Sequence, residues 1–135
     1  MTAAQVEQEN IALVKRGYEA FGRGDMATLR GLYEPGAVFY TTPHDDAEGT
    51  YLGRDAIFAY FGELFSESEG TFKATPVAMA AADDRVFVLQ ELSGKRKGQT
   101  LQENTVMVFT IDHALLREMR EFVTPQSGLK VFWSD

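Results

Sequence analysis

The chain has 135 residues, of which 44% are hydrophobic, 12% aromatic and 24% charged. That is the balance of one ordinary globular domain, able to bury roughly 68% of its unfolded surface without a metal or disulfide. Twenty Asp and Glu against thirteen Lys and Arg leave a net charge of -7, a field that repels nucleic acid and anionic lipid, and the absence of cysteine excludes thiolate catalysis and Cys-ligated zinc.

No basic segment followed by an apolar run opens the chain, and nowhere do eighteen apolar residues occur together. Neither a leader peptide nor a membrane span is expected, and the address is read as cytoplasmic. The four prolines are scattered and no repeat divides the chain, so residues 1–135 are read as a single domain.

Thr2 and Gln5 have capping-box spacing, and Ile11, Val14, Tyr18 and Phe21 then fall on one face of a long first helix. Gly22 and Gly24 stop it, and Asp25 caps a short second helix with Met26, Leu29 and Leu32 on one face. Glu34-Pro35-Gly36 ends that helix, and the β-branched and aromatic run 37–42 predicts a strand followed by a polar loop from Pro43 to Leu52. Gly53-Arg54-Asp55 opens a third helix with a wide apolar face that includes Ile57, Phe58, Phe61, Leu64 and Phe65. From Thr71 the period becomes two, giving strands over 72–79, 85–93, 99–111 and 115–123 joined by short polar turns. Lys95-Arg96-Lys97 reads as a solvated turn, and the apolar tail Gly128 to Trp133 as a segment that docks on the sheet, the pocket mouth or a second subunit.

The resulting order, α-α-β-α-β-β-β-β, predicts an α+β cone: a curved antiparallel sheet wrapped on the long N-terminal helix and two shorter helices. One long helix inside a wrapping sheet encloses space that short side chains do not fill, so an internal pocket is expected.

Several stretches carry a family resemblance: Tyr18-Glu19-Ala20-Phe21 with Gly24-Asp25, then Leu32-Tyr33-Glu34-Pro35-Gly36-Ala37-Val38, and the run Gly49-Thr50-Tyr51-Leu52-Gly53-Arg54-Asp55-Ala56-Ile57. With Val106-Met107-Val108-Phe109 and Arg120-Glu121-Phe122 they resemble the nuclear transport factor 2-like superfamily, and within it the SnoaL-like group that includes polyketide cyclases. The resemblance implies the same cone and a pocket, on a fold that hosts isomerases, dehydratases, epoxide hydrolases, cyclases and noncatalytic binders. Where related ketosteroid isomerases place a base Asp, this chain reads Tyr40-Thr41-Thr42-Pro43, and their donor Asp aligns with Met107. Their first-helix Tyr aligns with Gly17, beside Tyr18, and the Asp that similar cyclases carry after the last strand is Thr124.

The remaining candidates follow from chemistry and alternation. Glu103 shares a strand face with Thr105, Met107 and Phe109, and Glu121 shares one with Met119 and Val123, so either carboxyl could face the pocket with a raised pKa. His44, beside Asp45 in the loop after the first strand, is a candidate base, and Tyr40 or Tyr18 a candidate oxyanion donor. Tyr18, Phe39, Thr42, Tyr51, Phe61, Met107, Phe109 and Val123 are the candidate ligand-contacting residues. Nothing has the spacing of a metal cluster, a phosphate loop or a Gly-x-Ser-x-Gly turn, so neither metal nor cofactor is expected.

Two functions are in balance: a cofactor-independent isomerase, cyclase or dehydratase moving protons on a small hydrophobic carbonyl compound, or a noncatalytic binder of a small hydrophobic molecule. An interaction module is third. A homodimer is expected, because such sheets expose one face.

Overall fold

A computed structural model describes residues 1–41, 49–123 and 128–134. Helix α1 (Ala3–Arg23) starts at the expected capping box, with the Gln5 N–H donating to Thr2 Oγ1 at 3.1 Å and the Thr2 N–H donating to Gln5 Oε1 at 2.8 Å. It ends at Gly24, whose φ of 71° is a left-handed cap that glycine adopts without penalty. Asp25 caps the short α2 (Met26–Arg30) by accepting from the Thr28 N–H at 3.1 Å. Helix α3 (Arg54–Glu67) buries Ile57, Tyr60, Phe61 and Leu64, the face expected from its spacing with Tyr60 added.

Six strands form one curved sheet in the order β2-β1-β6-β5-β4-β3. They are β1 (Tyr33–Tyr40), β2 (Thr50–Leu52), β3 (Lys73–Ala82), β4 (Arg85–Arg96), β5 (Gln99–Asp112) and β6 (Leu115–Phe122). The late strands form the expected antiparallel meander, whereas β1 lies parallel to β6. This follows from topology: β6 is the last strand of the meander, and β1 reaches its free edge from the opposite end of the chain.

Two local differences from the sequence reading have backbone causes. Strand β1 begins at Tyr33, because Pro35 and Gly36 bulge out of the ladder instead of ending it: Tyr33 pairs with Leu116, and pairing resumes only at Val38 with Glu118. The last residues of the supposed polar loop form β2, a three-residue edge strand whose Tyr51 pairs with Phe39.

Alternation along β4 turns Val86, Val88, Gln90, Leu92, Gly94 and Arg96 inward. The β4 hairpin therefore extends past Gly94 to a tight turn at Lys97 and Gly98, with φ of 50° and 78°. Arg96 is thus buried rather than part of a solvated turn; it donates to the Ser134 carbonyl at 2.8 Å and to Glu67 at 3.4 Å. Gly94 sits where a Cβ would touch Phe72 at 3.5 Å and the Phe132 ring at 3.7 Å.

Helix α1 packs against β3 and β4, α3 against β1 and β2, and a fourth short helix, α4 (Leu129–Trp133), against β5. The tail docks on its own chain: Phe132 and Trp133 are only 3% and 4% exposed, and their rings lie 4.8 Å apart, with Phe72 5.9 Å from Trp133. The N–H of Gly128 donates to the Glu103 carboxylate. No helix among the described residues is long and apolar enough to cross a membrane.

Deleting residues 129–135 removes two buried aromatic side chains and the carbonyl that Arg96 holds. We expect the melting temperature to fall by roughly 10 °C or more. Thermal unfolding followed by circular dichroism measures it, and an unchanged transition contradicts this account of the tail.

Candidate functional site

Between α1, α3 and the inner face of the sheet lies a cavity of about 80 Å³. Its walls are mostly aromatic and aliphatic, and the rings brace one another: Phe109 meets Tyr18 edge to face at 5.9 Å, and Phe61 meets Phe21 at 5.2 Å. Trp133 of α4 completes the wall. Apolar cavities of roughly 150 Å³ accept benzene, so this space, about half as large, takes a ring only as its walls move apart.

One carboxyl belongs to this wall. Glu121 on β6 is 9% exposed, and its oxygens meet neutral donors from three strands or their ends. Thr41 Oγ1, just past β1, donates to Oε1 at 2.6 Å. Thr105 Oγ1 of β5 and Gln90 Nε2 of β4 donate to Oε2 at 2.9 and 3.1 Å. Gln90 Nε2 also donates to Thr105 Oγ1 at 2.9 Å, while Gln90 Oε1 accepts from the Tyr18 hydroxyl at 2.6 Å. Five elements are thereby tied into one chain of hydrogen bonds running from α1 through β4, β5 and β6 to the end of β1.

Burial pushes the Glu121 carboxyl above its ordinary value, and the bonds from Thr41, Thr105 and Gln90 oppose that shift without cancelling it. Each hydrogen bond to a charged group contributes about 1.5–3 kcal/mol, whereas taking an ion out of water costs several kcal/mol, and here no ion pair with a described cation offsets it. The neighbouring phenols are also pushed up, chiefly by burial: Tyr18, where Tyr33 and Glu121 add to it, Tyr60, where Glu121 adds, and Tyr33. Phenol and acid thus remain protonated to higher pH than in water.

Of the residues singled out from the sequence, Tyr18, Phe39, Phe61, Met107, Phe109 and Glu121 come together on this wall. Glu103 follows the alternation inward but lies under Gly128, where it holds the C-terminal segment. Tyr40 is on the outer face, its ring 4.2 Å from the Arg120 guanidinium carbon. Tyr51 stacks on Tyr60 at 4.3 Å, outside the cavity, and Val123 is half-buried beyond it. Thr42 and His44 lie outside the described residues. Tyr18, one of the two candidate oxyanion donors, donates its hydroxyl hydrogen to Gln90 Oε1.

Gln90, Thr41 and Tyr60 were not singled out. Gln90 carried a signal, an amide at an inward position of a period-two run between Val88 and Leu92, where a side chain of that kind needs partners. Among the described residues no cluster of three His, Cys, Asp or Glu is placed to hold a metal ion.

Residues 14–119 match the SnoaL-like domain family. The chain belongs to the SnoaL-like family. Solved structures similar to this SnoaL-like chain include Bal32a from a soil-derived mobile gene cassette, at 33% identity and a TM-score of 0.90, covering 96% of this chain and 99% of that one. A protein of unknown function with a cystatin-like fold from Xanthomonas campestris is 27% identical with a TM-score of 0.85, covering 93% and 98% of the two chains. An uncharacterised protein of Mycobacterium tuberculosis is 23% identical over 129 residues, 95% of this chain and 98% of that protein.

The raised Glu121 value has a thermodynamic consequence. An unfolded carboxyl titrates near 4.5, so between that pH and the higher folded value the native state binds more protons than the unfolded chain. This contribution to stability is complete below 4.5 and is lost progressively as pH climbs to the folded value. Glu121→Gln, neutral at every pH, should therefore gain stability relative to the parent as pH rises from about 4.5 towards 8. Urea unfolding of both proteins across that range tests this; a stability difference independent of pH contradicts it.

Proposed function

We propose that the cavity binds a small hydrophobic carbonyl compound and that Glu121 is the acid and base of a cofactor-independent proton transfer, as in an isomerase, cyclase or dehydratase. The observation that carries this reading is one buried carboxyl, bonded to neutral donors, on a mostly apolar and aromatic wall. Desolvation keeps such a group protonated towards neutral pH and makes it a stronger base once ionised, which general acid–base catalysis requires. Membership of the SnoaL-like family supports a pocket protein and leaves the reaction to the site itself.

A noncatalytic binder is the second reading, favoured by Met107. This thioether lines the wall at the position where the resembling isomerases carry an acid, so Glu121 has no second carboxyl beside it among the described wall residues. Deuterium uptake at the α-carbon of α-hydroxyacetophenone, followed by NMR in D2O, separates the two readings. The parent protein should accelerate exchange, and Glu121→Gln should lose roughly 10²-fold or more of that acceleration while still binding the ketone. Binding with no acceleration in the parent favours the binder.

The outer face of the sheet suits a second copy of the chain. Leu89, Val106 and Phe122 stand side by side across β4, β5 and β6, with exposures of 40%, 36% and 54%, and Phe87 pairs with Val108 beside them. A homodimer through this face predicts twice the chain mass by light scattering and the mass of one chain for Leu89→Asp. A monomeric parent refutes it.

A further inference from the structure

We propose that Gln90 sets the ligand preference of the cavity by fixing Tyr18 as a hydrogen-bond acceptor, so that the site selects ligands carrying an O–H donor. This rests on the cavity being the ligand site, and it names the chemical group the ligand must bring.

Tyr18 has one hydroxyl hydrogen, and it goes to Gln90 Oε1 at 2.6 Å. The Gln90 amide nitrogen donates to Thr105 and Glu121, so the amide's carbonyl end is the one left for Tyr18. Tyr33, also on the wall, directs its hydroxyl hydrogen to Met119 Sδ at 3.1 Å. A phenol whose hydrogen is committed keeps acceptor lone pairs. At this end of the wall Tyr18 therefore presents an oxygen that accepts.

Gln90 is the residue that imposes this polarity. An amide is asymmetric, with an acceptor at one end and donors at the other. Its amino end faces Glu121 and Thr105, which turns its carbonyl end to Tyr18 and draws the phenol hydrogen away from the ligand space. Gln90 is 2% exposed, so neighbours on every side hold the amide in place. It acts as a positioning residue: it reaches the ligand through the orientation it gives Tyr18. A ligand O–H supplies the missing donor, and an ether of the same shape leaves a buried oxygen unpaired.

Phenol and anisole share a ring and an oxygen and differ in the O–H, which makes them the probe pair. Binding is followed by NMR titration of the Met107 methyl signal on the cavity wall, with thermal unfolding to confirm that each variant is folded. The parent protein should bind phenol about tenfold more tightly than anisole. Gln90→Met frees the Tyr18 hydrogen and should reduce that ratio to about threefold or less; Tyr18→Phe removes the acceptor and should reduce it similarly. The second variant keeps the test decisive if the first does not fold. Equal binding of phenol and anisole by the parent, or a ratio unmoved in the folded variants, overturns the role of Gln90 and leaves the cavity as a ligand site. Binding of neither probe overturns the ligand site and this inference with it.

Discussion

The Glu121 carboxyl, taken out of water inside the cone and held by neutral donors among the described residues, is the constraint around which the inner face of the sheet is arranged. An isolated buried charge of this kind costs several kcal/mol, and hydrogen bonds from Thr41, Thr105 and Gln90 reduce that cost without removing it. Each donor comes from a different strand or strand end, so the carboxyl also fixes the register of β1, β4 and β5 against β6. A slip of one residue in any of these pairings turns its donor to the outer face. Polar satisfaction and sheet register are here one requirement.

The remainder of the fold keeps water from that group. Aromatic side chains from α1, β1, α3 and β5 pack edge to face around the cavity, and α4 closes it with Trp133. The closure depends on polar contacts far from the carboxyl: Arg96 holds the Ser134 carbonyl, and Glu103 holds the Gly128 N–H. The two inward glutamates thus have different tasks. Glu103 secures the segment that covers the cavity, and Glu121 supplies its titratable group.

Much of this architecture was legible in sequence because each signal was local. The Thr2 capping box, the α3 face and the alternation of β4 and β5 depend on residues a few positions apart. The parallel seat of β1 on β6 and the three-residue β2 depend on partners far along the chain, and the Pro35-Gly36 bulge reads locally as a stop. At the site, alternation made both Glu103 and Glu121 candidates for the inner face but could not separate them. Depth along the strand and the return of the tail over β5 make that distinction. The sense of the Tyr18 hydrogen bond was equally illegible, since it follows from which end of the Gln90 amide faces the carboxyl.

The most direct test of this account is a carbon-detected NMR titration of the Glu121 side-chain carboxyl in the ligand-free protein, with Glu121→Gln used to assign the signal. The account predicts a midpoint well above 4.5, coupled to a shift of the Gln90 amide signals as the carboxyl takes up its proton. A midpoint at or below 4.5, with the Gln90 amide unmoved, would show a solvated or fully compensated carboxylate and contradict it.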